Sequence, residues 1–493
     1  MKDLSGQSTI IPPEAIYKEV VVIGNGPSGM ALSYQLAGNL PFYNGNAHLD
    51  EMLTARLRNA PSGVSIMQQD LPFLSQGLEG RSSNPVSLLM DALLHPWADQ
   101  GLDLPPLVDW HYVPEYTIDH VVLGKGVPGG AWQTMDPNIL TISLNKWMEL
   151  PGFPWSKWEA DFNLNESAQR NSRRTTVAQV AAYYSDYVTA MNISDYFRSE
   201  TVVTSVRRIN KTSEMKGARG DREGALWKVE GYDLATLEPF TYACRRVVLA
   251  TGSTDMPNRL SVPGEKSNPD WVFHDLVAFE HAVEHLSNEV VETQNGVKCI
   301  DPVAIVGAGL SAADAVLLAR FWSLPIIHVF RGAGITPDRM LPEAMYPEYH
   351  KVRQMMTNSD ATYDDYTSFP EHKVLDLSDS SSGRKIYLSS PEGKLVTHKV
   401  SLVAVLIGSR PDLTYLPTEY QDGMKLGVNP NSPIDCRANP ILVDPWTRAV
   451  VNAEEGLYAV GPLSGDNFVR FTLGGTFAVV HGIHRKRKLE RCA

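Results

Sequence analysis

Cysteine is scarce. The 493 residues hold four, Cys244, Cys299, Cys436 and Cys492, and no pair has C-x-x-C spacing. That excludes a disulfide scaffold and a four-cysteine zinc site as organising features. It also speaks against the paired thiols of a flavoprotein disulfide reductase. Long apolar runs are missing too: stretches such as Leu402–Ile407 fall far short of the ~20 residues of a membrane-spanning helix. Residues 1–11 lack the basic-then-apolar order of a secretory signal. Basic charge is in deficit, with 44 Lys and Arg against 56 Asp and Glu and a formal charge of −12, so nucleic acid is not an expected partner. With 37 glycines and 33 prolines the chain is neither collagenous nor of low complexity. No Ser-His-Asp set and no metal site are expected. His281 and His285 lie four apart in a helical stretch, but without a third ligand a solvated helix face is the simpler reading. The composition describes a soluble, reduced, cytoplasmic protein with the length of about three domains. A basic run, Arg485–Lys488 with Arg491, leaves nuclear entry open and otherwise reads as a frayed, solvated tail.

Two glycine-rich turns stand out. Glu19–Ile23 is a short apolar run dominated by β-branched residues, suited to a strand buried on both faces of a parallel sheet. It stops at Gly24-Asn25-Gly26-Pro27-Ser28-Gly29, a full G-x-G-x-x-G, and Met30–Ala37 continues with helical spacing. Gly24 makes the tight turn, Gly26 lets a pyrophosphate approach the backbone, and Gly29 lets helix and strand pack closely. With Pro27 and Ser28 at the helix N-terminus, these residues are the candidate seat of a dinucleotide. The acid expected about 20 residues later is absent. Pro41 to about Tyr116 reads as an insertion, and the next buried strand, His120–Leu123, ends in Gly124 with no carboxylate. Asp119 or a residue of the insertion is left to hold the ribose.

The second turn follows the strand Pro302–Val306 as Gly307-Ala308-Gly309-Leu310-Ser311-Ala312, with Ala312 in the third glycine's place. Ala313–Arg320 is helical in composition, and the strand Ile326–Phe330 ends in Arg331, 24 residues after Gly307. An arginine there accommodates a 2′-phosphate, so Gly307, Gly309, Leu310, Ser311 and Arg331 read as an NADPH site. Two such turns about 280 residues apart suit one chain holding FAD and NADPH.

Further along, Gly129-Gly130-Ala131-Trp132 follows the second strand, Val247–Leu249 runs into Ala250-Thr251-Gly252, and Gly456–Gly461 precedes Gly465-Asp466-Asn467-Phe468-Val469-Arg470. This set resembles the flavin-containing monooxygenases and their Baeyer–Villiger and N-hydroxylating relatives. The blocks Gly77–Pro85, Val121–Gly126, Trp147–Gly152, Tyr346–Val352 and Gly465–Phe471 resemble, more closely, the oxidative stress-induced growth inhibitor family, over roughly residues 17–480. The resemblance implies an α/β fold of two Rossmann-like domains, with the NADPH domain inserted in the FAD domain. It implies an NADPH-dependent monooxygenase. Hydride passes to the flavin, O2 adds at C4a, and the hydroperoxide oxygenates a small-molecule substrate. It further implies links to growth, stress and cell division, with protein partners there. Gly129, Gly130, Trp132, Gly252, Gly461 and Asp466 would then touch the flavin nucleotide. Asn145 and Ser143 are the candidate groups near C4a, and His274 could shield the nicotinamide or simply start a helix.

The sequence departs from the monooxygenases at several points. Gly124 stands where their ribose-binding Glu would be. Three residues before Lys146 stands Ser143, and Asn145 is out of register. The later strand Val405–Arg410 lacks the threonine, and Val272–Asp275 keeps little of F-x-G-x-x-x-H. These departures keep open a catalytically weakened regulator of the same fold and an NADPH oxidase that only makes peroxide. The expected organisation is a flexible leader at 1–16, an FAD domain at 17–256 with the insertion at 41–116, and an NADPH domain at 257–400. The FAD domain returns at 401–481 and a basic tail follows at 482–493. Asn210–Gly224, Tyr363–Pro370 and Ser378–Gly383 read as loops.

Overall fold

A computed structural model describes residues 14–162, 173–209, 226–289, 300–332, 341–357, 363 and 365–492. Most of the expected leader, the loop Asn210–Gly224 and Cys299 lie outside the described residues.

The chain divides into two compact units. One comprises the residues up to Thr254 with those from Pro411 onward; the other is Asp255–Arg410. The return comes ten residues later than the expected 401. Val403–Val405 is a strand inside the second unit's sheet, paired with Val303–Val306 on one side and Val272–Phe273 on the other.

In the first unit, Ile16–Ile23 lies between two parallel partners, His120–Leu123 and Pro239–Leu249, and Leu457–Ala459 adds parallel to the latter. The register puts Ile23 beside both Leu123 and Leu249, and Ala459 beside Leu249. Four parallel strands therefore end at one level, and Gly24, Gly124, Ala250–Gly252 and Val460–Gly461 leave the sheet side by side. A crevice beyond the carboxyl ends of parallel strands is where such sheets take their ligands. Trp227–Asp233 and Thr201–Arg208 extend the sheet antiparallel.

The strand residues alternate between two cores, as the two-residue period demands. Val20 and Val22 pack with Leu32, Leu89, Phe477 and Val480. Val21 and Ile23 pack with Trp227, Val229, Leu413 and Leu463. The first core is covered by three helices: Pro27–Leu36, Pro85–Leu94 and Val469–Cys492. The expected insertion supplies the second of these. It begins and ends on a small antiparallel pair, Asn39–Tyr43 with Val108–Tyr112.

The closing helix corrects the reading of the basic run. Arg485–Lys488 lies on the helix Val469–Cys492 and not in a frayed tail. Lys486 pairs with Glu455, and Arg487 reaches Glu19 on the first strand at 3.1 Å. Arg and Lys are good helix formers, and here Lys486 and Arg487 each find a carboxylate.

The second unit has a five-stranded parallel sheet in the order Val272–Phe273, Val403–Val405, Val303–Val306, Ile326–Phe330, Tyr366–Pro370. The segment Tyr363–Pro370, expected as a loop, thus supplies an edge strand. Ser378–Gly383 is likewise the turn region of a hairpin between Lys373–Ser380 and Gly383–Ser389, to which Leu395–Lys399 adds. Among the described residues no helix is long and apolar enough to cross a membrane.

Candidate functional site: two glycine turns

The first turn is built by close contacts. Gly24 has φ +111°, and a Cβ on it would stand 2.3 Å from the Ala250 carbonyl oxygen. A Cβ on Gly29 would stand 2.0 Å from the Gly24 carbonyl oxygen. Only glycine fits either place. Gly26 differs: its nearest neighbours, Gly129 and Gly130, would lie 3.9 Å from a Cβ. It caps the helix Pro27–Leu36 in extended conformation with no side chain on the free N–H groups. An uncapped helix start beside open space is an anion seat.

Gly129 and Gly130 both have positive φ, and Gly130 lies directly on Gly26. Trp132 meets Tyr184 edge-on, 6.2 Å between ring centres. From the other side Gly461 (φ +67°) closes on Ser28, whose hydroxyl would be 2.4 Å from an added Cβ. Gly252 (φ +74°) has nothing within 4 Å of that position. Beside it the Thr251 hydroxyl is buried without a partner. A buried unpaired hydroxyl costs about 1–3 kcal/mol, so it marks a place where a ligand group fits.

The sequence left the ribose acid unassigned, and the structure removes one of its candidates. Asp119 precedes the strand His120–Leu123, at the opposite end of the sheet from the glycine turn, and pairs with Lys18 at 2.7 Å. At Gly124 itself the space is filled by Asn25, whose side chain would be 2.1 Å from an added Cβ. Asn25 donates to the Gly126 carbonyl at 2.6 Å. The middle residue of the turn thus occupies the place of a strand-end carboxylate.

Asp466 is expected at the flavin nucleotide. Its carboxylate is buried and fully engaged: Arg448 Nη2 at 2.8 Å and Ser87 Oγ at 3.3 Å on one oxygen, Asn84 Nδ2 at 2.7 Å and Ser82 Oγ at 3.4 Å on the other. Its backbone N–H is held by Gly461. It has no lone pair to spare for a ribityl chain. Burial pushes its carboxyl up, against the pull of Arg448 and the three hydroxyl and amide donors. Burial pushes the fully buried Arg448 down. What the sequence did not show is that the Gly77–Pro85 block docks on the Gly465–Phe471 block. Ser82 and Asn84 hold Asp466, and the Arg81 guanidinium lies 5.5 Å from the Phe468 ring centre. Nearby, Arg470 is buried between Asp91, at 2.7 Å on Oδ2, and Asp99, at 2.9 Å. It lies 5.0 Å from the Trp147 ring centre. The unusual composition of these blocks was the signal; the pairing across more than 370 positions was not readable.

Asn145 is tied to the backbone through its amide oxygen. It is buried, and its Oδ1 accepts from the N–H groups of Lys146 at 2.8 Å and Arg173 at 3.1 Å. Ser143 is half-buried in the same stretch and gives its carbonyl to Thr141 Oγ1. Directly after the 3-10 turn Asn145–Met148, Glu149 is pushed up to about 7 by burial, against the Trp155 N–H it accepts and the charge of Lys146.

The second turn repeats the first in backbone. Gly307 has φ +142° with the Leu406 carbonyl oxygen 2.3 Å from an added Cβ. Gly309 caps the helix Leu310–Phe321 at φ −83°, ψ −178°, matching Gly26 at φ −73°, ψ −173°, and again no side chain caps it. A Cβ on Gly309 would meet nothing within 4 Å. Leu310 and Ser311 are exposed. The strand pairing puts Val306 beside Val329, so Arg331 follows its strand just where the glycine turn follows its own; it too is exposed.

His274 is a latch within its own unit. Its Nε2 lies 2.9 Å from Glu265, which also accepts the N–H groups of Leu260 and Ser261. Burial acts to raise the Glu265 carboxyl, but His274 and those two N–H donors outweigh it and hold the carboxyl low. His281 and His285 are exposed on the helix Leu276–Glu289, and among the described residues no group of three potential ligands could hold a metal. Cys244 and Cys436 are buried, and neither is in a disulfide.

No protein-family profile matches the chain. Among curated proteins it is 42% identical to oxidative stress-induced growth inhibitor 1 of Mus musculus over 95% of both chains. It is 39% identical to oxidative stress-induced growth inhibitor 2 of Homo sapiens, over 98% of this chain and 96% of that one. Among solved structures, a bacillithiol disulfide reductase of Bacillus cereus aligns over 95% of this chain and 99% of its own, with TM-score 0.56 and 15% identity. A flavin-containing monooxygenase of Stenotrophomonas maltophilia aligns over 97% and 100%, with TM-score 0.52 and 14% identity. At that identity the structures speak for the fold, which is that of two-domain flavoenzymes with two nucleotide-binding units.

Proposed function

The chain belongs to the oxidative stress-induced growth inhibitor family, and from that premise we propose that it is an FAD-containing, NADPH-dependent monooxygenase acting on a small-molecule substrate with O2. One observation carries the reading. Both glycine turns present uncapped helix starts of the same backbone conformation, and a Cβ on the middle glycine would meet nothing closer than 3.9 Å in the first and nothing within 4 Å in the second. FAD fits the first turn. Gly26 leaves room for a pyrophosphate, the N–H groups after it are free of side-chain caps, and the Thr251 hydroxyl awaits a partner. NADPH fits the second, where Gly309 and Ser311 would face the diphosphate and the Arg331 guanidinium a 2′-phosphate.

Bound there, FAD supplies hydride acceptance and oxygen activation. The chain's own residues bind and orient. The backbone of Gly26 to Gly29 seats one diphosphate, and Gly129, Gly130 and Gly461 wall it in. The network of Ser82, Asn84, Ser87 and Arg448 around Asp466 fixes the segment that follows Gly461. The name of the relatives supports a role in growth control, with protein partners there; cytoplasmic residence fits the composition.

A second reading, a regulator with weakened catalysis, draws on Asn145, whose carbonyl is spent on backbone, and on Asn25 in the place of the ribose acid. One experiment separates these readings. The purified protein should be yellow and should bleach on NADPH addition, and NADPH consumed should exceed peroxide formed once a substrate is supplied. Peroxide equal to NADPH under all substrates would leave an oxidase. Colourless protein that takes up no FAD would reject the enzyme.

A further inference from the structure

The two glycine turns differ at the third position, and the second unit contains an answer to that difference. In the first turn Gly29 lies on the Gly24 carbonyl, so tightly that a Cβ would stand 2.0 Å from the oxygen. In the second turn that position is Ala312, which already carries a methyl group, and its helix cannot lie on the Gly307 carbonyl in the same way. A buried carbonyl needs a partner. The Gly307 carbonyl has one from outside the motif: His328 Nε2 at 2.8 Å, from the adjacent strand Ile326–Phe330.

The geometry sets the imidazole tautomer. A carbonyl only accepts, so Nε2 carries the hydrogen, and Nδ1 is left to accept from the Tyr366 hydroxyl at 2.8 Å. Tyr366 belongs to the next strand along, Tyr366–Pro370. His328 is fully buried, and burial lowers it to about 4, which keeps the ring neutral; burial likewise pushes the Tyr366 hydroxyl up and keeps it a donor. The Gly307 N–H is bound by the Val329 carbonyl at 2.9 Å. Both polar groups of Gly307 are therefore held by two consecutive residues of one strand.

We propose that His328, backed by Tyr366, is a positioning residue for the second dinucleotide: it fixes the Gly307 carbonyl and so aims the N–H groups of the turn, replacing the contact that a third glycine would make. The inference rests on the NADPH reading of that turn and names what organises it.

The test is NADPH affinity of the full chain, by fluorescence titration, with flavin content and melting temperature as controls. His328→Leu should weaken NADPH about tenfold, the loss expected when a buried carbonyl goes unpaired. His328→Gln, which can offer an N–H at the Nε2 place, should retain most of the affinity. Ala312→Gly placed on His328→Leu should recover part of the loss by letting the helix settle on the turn. Flavin content should not change in any of them. Nitrogen NMR of the labelled protein should show His328 as the Nε2–H tautomer. If His328→Leu fails to fold, the glutamine variant and Tyr366→Phe decide. Unchanged NADPH affinity in a folded leucine variant, a glutamine variant as weak as leucine, or the opposite tautomer would overturn the assignment. An unsubstituted chain that binds no NADPH would overturn the reading beneath it.

Discussion

The two glycine turns share a backbone and differ in their surroundings. In the first, Asn25 and Ser28 are 4% and 5% exposed, and Gly129, Gly130 and Gly461 press against the motif. In the second, Ala308, Gly309, Leu310 and Ser311 are all exposed, Leu310 by 42%. The same local code thus makes a walled seat and an open one. A walled seat suits a group that stays through many turnovers; an open one suits a coenzyme that must come and go.

The sharpest way to break this comparison is to fill the glycines. Gly24→Val should yield no folded protein, since its Cβ would meet backbone at 2.3 Å in a region of φ that valine resists. Gly309→Ala should fold with an unchanged melting temperature and lose only coenzyme affinity, since nothing stands within 4 Å. Equal damage from both would erase the distinction. Next in size, Asp466→Ala leaves Arg448 buried and uncompensated and should cost about 3 kcal/mol in a denaturant titration, with flavin released alongside. Arg331→Ala should weaken NADPH by about 1–3 kcal/mol and leave NADH untouched; flavin content should stay full. Equal losses for both coenzymes would reject that contact.

The smallest effect is in pH. Burial lowers His120 to about 4 and His95 to about 3 in the first unit, and His328 to about 4 in the second, all from 6.5. A depressed histidine favours the fold above the ordinary value and loses that contribution as pH falls through the folded one. Stability should therefore decline from about pH 6.5 toward 4 in both units. Glu149, in the first unit, acts in the opposite direction. Its carboxyl is raised from 4.5 to about 7, so its contribution is present in acid and lost as pH rises to 7. Glu149→Gln should flatten the neutral side of the profile, and melting curves from pH 4 to 8 would show it.

Much of this was legible in the sequence, for a physical reason. The strands His120–Leu123 and Ile326–Phe330 occur as read because runs buried on both faces need no alternation. The helix Val177–Ala190 is just as local in origin, with Thr176 and Gln179 making a capping box. The misread strands are the half-exposed ones. In Lys373–Ser380 a register shift between Val374 and Asp376 breaks the two-residue period, and its polar end, Ser378 to Ser380, resembles a loop. The basic run was misread because its partners, Glu455 and Glu19, are far away in sequence. For the site, the glycines could be found because each answers a local demand. Asp466 could not be placed, because its five polar neighbours come from segments hundreds of residues apart.

The inserted unit, Asp255–Arg410, is one unbroken stretch of chain. The outer unit is not: its sheet lacks Leu457–Ala459, and its first core lacks Phe477 and Val480, until the segment after Pro411 arrives. During synthesis the inner unit can therefore finish while the outer one waits with an incomplete core. Arg470 and Arg487, which clasp the insertion and the strand Ile16–Ile23, are made long after both. Loss of the helix Val469–Cys492 would leave that strand without its cover.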